Sequence, residues 1–122
     1  MDKIINNYYT GFEGEPEIKF IWVKPNNENL ILKIWIGYFD TIMNAVEPIN
    51  NVWSGLSYYY HLDEGWYDES PWEIPNLNPV IDELLSVDTT AFDLVTKDVF
   101  TELLTLLVNA KEKNDKILIC YD

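Results

Sequence analysis

A chain of 122 residues, 48% hydrophobic and 24% charged, is sized for one domain (residues 1–122) that folds around its own core without staples or metals. Its 21 acids stand against 8 bases, all of them lysine, for a net charge of −13. With no arginine for bidentate phosphate contacts, that balance argues against direct binding of nucleic acid or anionic lipid and favours a cationic partner, most simply a basic protein.

Met1 to Phe12 has no long apolar segment and does not read as a signal peptide. No stretch elsewhere approaches the ~18 apolar residues of a membrane span, so the expected location is cytoplasmic, away from the membrane. Gly11, Gly14 and Pro16 argue for turns before the first strand. Glu17 to Lys24 and Leu30 to Ile36 are dense in β-branched and aromatic residues, and Pro25 to Asn29 between them is a turn of hairpin length. Both runs carry apolar residues on both faces, which predicts central strands covered on each side.

Asp40 is placed to cap a helix carrying Ile42, Met43, Val46, Ile49 and Trp53, which Pro48 either ends near Glu47 or restarts. Ser57 to His61, with three tyrosines, suggests a third strand. Leu62 to Leu77 has neither helical nor strand periodicity, but its aromatics predict an ordered loop. Asn78-Pro79 predicts a helix over Val80 to Val87, and the apolar spacing from Val99 to Val108 predicts a longer one from Lys97 to Lys113. Asn114-Asp115 stops it, and Lys116 to Tyr121 reads as a closing strand in which Cys120, the lone cysteine, serves as a small buried hydrophobe. The expected fold is α+β, a single domain with an antiparallel, hairpin-led sheet packed against helices.

The charge is segregated. Between Lys33 and Lys97 there is no base, and eleven acids fall there: Asp40, Glu47, Asp63, Glu64, Asp68, Glu69, Glu73, Asp82, Glu83, Asp88 and Asp93. Like charges held close oppose folding, and a sequence selected only for stability would intersperse lysines. Within this interval Trp66, Tyr67 and Trp72 alternate with Asp63, Glu64, Asp68, Glu69 and Glu73. Aromatics of this kind anchor protein interfaces; alternatively, the tryptophans fold inward and pin the loop.

Catalytic chemistry has no comparable signature. His61 is the only histidine and, with Asp63 and Glu64, matches no zinc-ligand spacing. The segment from Asp63 to Asp68 lacks the alternation of a calcium loop, and the five glycines form no phosphate loop. Ser54, Ser57, Ser70 and Ser86 lack a nucleophile-elbow context. No catalytic residue, metal or cofactor is expected, and a binding protein is favoured over an enzyme.

The acidic aromatic segment LDEGWYDESPWE, the absence of arginine, and the helix and final strand TELLTLLVNAKEKNDKILICYD give a profile. That profile resembles the immunity proteins of bacterial polymorphic toxin systems, including those of contact-dependent growth inhibition. The resemblance implies a cytosolic protein that binds one toxin domain, often a nuclease, and blocks its active site or substrate surface. On the residues themselves, Trp66, Tyr67 and Trp72 are the expected anchors, with Asp63, Glu64, Asp68, Glu69 and Glu73 as charge partners. Two other readings fit the same residues: a phage or mobile-element DNA mimic that inhibits a host nuclease, and a small carbohydrate-binding domain using exposed tryptophans. Exposed Ile and Tyr on the hairpin edge are also compatible with a dimer.

Overall fold

The computed structural model describes residues 2–122. In chain order the elements are β1 (Asp2–Tyr8), β2 (Glu17–Val23), β3 (Asn29–Trp35), α1 (Ile36–Ala45), α2 (Gly55–Leu62), β4 (Trp72–Glu73), α3 (Leu77–Leu85), α4 (Leu94–Glu112) and β5 (Lys116–Tyr121). The five strands form one sheet in the order β1-β3-β2-β5-β4, giving an α+β fold.

The β2–β3 hairpin is the centre of this sheet, as its sequence predicts, with Phe20 opposite Leu32 and Ile18 opposite Ile34. β5 pairs antiparallel on the other side of β2, with Ile119 opposite Phe20. Because side chains alternate along a strand, Ile18, Phe20, Trp22, Leu32, Ile34, Ile117 and Ile119 form one inward row, and all are buried. Phe39, Ile42 and Met43 of α1 and Val99, Leu103, Leu106 and Leu107 of α4 pack on this row, and Leu56 of α2 and Val80, Ile81 and Leu84 of α3 belong to the same core. Each such side chain, fully buried, contributes roughly 1.5–3 kcal/mol.

The second face is not covered in the same way, which corrects the expectation of a sheet enclosed on both sides. Lys19, Ile21, Val23, Ile31, Lys33, Leu118 and Cys120 are all half-buried there. Lys19 lies opposite Lys33, and the Glu17 carboxylate bridges the pair at 3.7 and 3.4 Å, with Asp122 also 3.7 Å from Lys19. Cys120 lies opposite Lys19 and is half-buried, not fully buried as its apolar run suggests.

Five further expectations are corrected. The N-terminal segment contains a strand: β1 runs parallel to β3, with a register shift between Ile4 and Asn6. Its polar Asn-rich sequence carries no burial pattern because it is an exposed edge held by backbone pairing. The turns expected at Gly11 and Gly14 are present, at φ 101° and 97°. α1 starts at Ile36, directly from the end of β3, so Asp40 lies inside it and accepts a 3.0 Å hydrogen bond from the Tyr60 hydroxyl. It ends at Ala45, and Ile49 and Trp53 lie beyond it. There Ile49 and Val52 exchange backbone hydrogen bonds of 3.0 Å around Asn50 and Asn51, whose φ values of 53° and 65° make a mirror-image tight turn.

Ser57 to His61 is helix α2, not a strand. Its first N–H groups, which no helix can satisfy internally, are held by the Glu83 carboxylate of α3: Leu56 N donates at 2.6 Å and Ser57 N at 3.2 Å. That tertiary cap overrides the strand preference of the three tyrosines. α3 begins at Leu77, capped by the Asn76 side chain (3.0 Å from Asn78 N), so Pro79 sits in the first turn where its missing N–H is harmless. α4 starts at Leu94, three residues before Lys97, and is capped by Asp93, which accepts from Thr96 N at 2.8 Å. It stops where predicted, at Asn114 in the left-handed conformation (φ 55°), and β5 spans the predicted residues.

Candidate functional site

The acidic aromatic segment leaves α2 through Asp63, which takes the left-handed conformation (φ 53°). Glu64 N then donates to Tyr59 O at 3.1 Å. A single 3-10 turn, Gly65–Tyr67, follows, with Asp68 N and Glu69 N both returning to Gly65 O. Gly65 has φ 74°, and a Cβ there would stand 3.2 Å from the Trp72 ring, so turn and packing both require glycine. After a cis Ser70–Pro71 bond, Trp72 pairs with Ile119 and extends the sheet, and Ser70 Oγ accepts from Tyr121 N at 3.0 Å. The segment is thus an ordered loop, as expected, tied at both ends and in the middle.

Its three aromatics have unequal positions. Trp66 is 1% exposed and packs edge-on against Phe39 at 5.7 Å and Trp72 at 5.6 Å. It belongs to the core, so it pins the loop and is not on the surface where a partner anchor would be. Tyr67 is half-buried against Trp66 and Tyr121, and Trp72 is half-buried against Tyr59 at 4.7 Å. Asp63, Glu64, Asp68, Glu69 and Glu73 are all exposed.

The eleven acids of the base-free interval separate into two groups. Four are used by the fold: Asp40 on Tyr60, Glu83 on α2, Asp88 on Thr90, and Asp93 on α4. The other seven are exposed, and five of these are the loop residues just named. Among the described residues, the ion pairs involve Lys19, Lys24 and Lys33 with Glu17, Glu28 and Asp122, so no loop carboxylate is held in an ion pair. Two tyrosines near the loop are raised, chiefly by burial. Burial, together with Asp40, Tyr121 and Asp63, pushes the Tyr67 hydroxyl up to about 12. Burial and the hydrogen bond to Asp40 also raise Tyr60.

The His61 ring stacks on Trp53 at 3.8 Å, while the Ser57 hydroxyl, one turn earlier, donates to Ser54 O at 2.6 Å. Among the described residues no three His, Cys, Asp or Glu side chains converge to hold a metal ion, and no helix is long and apolar enough to cross a membrane. Sequence reasoning missed the cluster of exposed apolar side chains on and before α2, Val52, Tyr58 and Leu62. The signal lay in the four-residue spacing of Tyr58 and Leu62, hidden by reading the tyrosines as a strand. Comparison of the chain with protein-family models, with curated proteins and with solved structures finds no match.

Proposed function

We propose that this chain is an immunity protein that binds and neutralises a cognate basic toxin domain of nuclease type, acting in the cytoplasm by contact and not by catalysis. The observation that carries the reading is a loop of five exposed carboxylates outside any ion pair, Asp63, Glu64, Asp68, Glu69 and Glu73, beside the partly exposed rings of Tyr67 and Trp72. A fold that needed these acids only for its own capping would pair them internally, as it does Asp93 and Glu83.

A nuclease must present a cationic cleft to its phosphate backbone, and a fixed array of carboxylates is complementary to that cleft. Complementary charge raises association rates toward about 10⁸–10⁹ M⁻¹s⁻¹ at low salt, which suits an inhibitor that must act before its target does. Rim charges alone bind weakly, so Tyr67 and Trp72 supply apolar contact next to them.

Co-expression with the protein encoded beside this chain tests the reading. The expected result is rescue of growth from a basic toxin domain and recovery of a stable complex, weakened by charge reversal at Asp68 and Glu69. A complex whose contacts avoid residues 63–73 would defeat it.

A further inference from the structure

The exposed side of α2 is not polar. Tyr58 (47% exposed) and Leu62 (50%) stand one helical turn apart, next to Val52 (63%) at the Asn50–Asn51 turn. With Asn51, Trp53 and His61 they line a cavity of about 260 Å³. This lies below the roughly 300–1,000 Å³ of small-molecule sites. Trp53 is held in place by the His61 ring stacked on it, and its indole Nε1 is buried with no hydrogen-bond partner.

The charge around this patch selects its occupant. It lies wholly inside the base-free interval, and Asp63 and Glu64 follow Leu62 directly and are exposed. Ile49, 69% exposed and joined to Val52 by backbone hydrogen bonds, lines a separate hollow with the exposed Glu47 and Asp88. An apolar centre bordered by acids fits an apolar side chain carried on a cationic segment, and disfavours a second copy of this chain, whose acids would repel.

We propose that the Val52–Trp53–Tyr58–Leu62 surface is the apolar centre of the contact with a basic protein, receiving one aliphatic side chain whose flanking lysines or arginines reach Asp63 and Glu64. The inference rests on the reading of this chain as a binder of a basic protein. It adds the desolvated anchor position that Trp66, being in the core, cannot supply.

The test is a titration of the isotope-labelled full chain with two synthetic peptides, followed through backbone amides and tryptophan indole N–H signals. One peptide is heptalysine; the other is the same peptide with its central residue replaced by leucine. The expected result is that heptalysine moves only the amides of the acidic loop. The leucine peptide also moves the Trp53 indole and the Tyr58 and Leu62 amides, and binds about tenfold tighter, as burial of one leucine side chain allows. The double variant Tyr58→Ser and Leu62→Ser, both at exposed positions, removes the affinity difference while leaving the loop shifts of heptalysine in place. Equal affinities with shifts confined to the loop overturn this inference and leave the acidic reading standing. No loop shifts with either peptide defeats the acidic reading itself. Signals of Trp53 and Leu62 that move with protein concentration alone assign the patch to a second copy and overturn the occupant proposed.

Discussion

The carboxylate of Glu83 on α3 accepts a 2.6 Å hydrogen bond from the backbone N–H of Leu56, the second residue of α2. A side chain from one helix thus caps another, and Gly55 makes room for it: a Cβ there would collide with the Glu83 carboxylate and stand 2.9 Å from Val80 Cα. Glu83→Ala leaves the Leu56 and Ser57 N–H groups buried without acceptors, at a cost of about 1–3 kcal/mol. Urea unfolding should show that loss, with the early amides of α2 exchanging faster. An unchanged midpoint would mean that α2 does not depend on this cap.

The same residue makes stability depend on pH. Burial pushes Glu83 up to about 7 from an ordinary 4.5, while hydrogen bonds from Ser57 and Leu56 limit the rise. An acid raised on folding is bound to its proton more tightly in the folded state. Its contribution is therefore fully present below about pH 4.5 and is lost as pH rises through about 7. The full loss is on the order of 3 kcal/mol. Stability measured for Glu83→Gln relative to the natural chain should increase between pH 5 and pH 8. A constant difference across that range would contradict the assignment.

Trp66 and the acids beside it should separate stability from binding. Trp66→Ala opens a cavity among Phe39, Tyr67 and Trp72 and should cost about 3–5 kcal/mol. Asp68→Ala and Glu69→Ala remove exposed, unpaired charges and should change stability by no more than about 0.5 kcal/mol. Urea midpoints distinguish the two classes. Comparable losses in both would mean that the loop acids are structural.

The parts of this fold that were legible in the sequence are those whose residues speak locally. The β2–β3 hairpin carries alternating Ile18, Phe20 and Trp22 around an Asn-rich turn, and β5 repeats that alternation with Ile117 and Ile119. α4 has seven buried residues at helical spacing. What was not legible depends on distant partners. β1 is a polar strand that exists because β3 offers it an edge. α2 is a helix because Glu83, 27 residues further on from Leu56, supplies its cap. For the candidate site, the acidic loop was visible as a run of charge and aromatics. The inward turn of Trp66 was one of two readings open to the sequence, and packing against Phe39 decides between them. The Tyr58–Leu62 patch was lost with the misread helix.

If the exposed carboxylates of residues 63–73 meet a basic partner, stopped-flow association with the toxin domain over a range of salt will read their contribution. Screening shortens to about 3 Å at 1 M salt, so steering by these exposed charges must fade. The association rate should fall at least about tenfold between 0.02 and 1 M salt, and Asp68→Lys and Glu69→Lys together should flatten that dependence. A rate indifferent to salt, or one that the two reversals leave unchanged, would contradict such a contact.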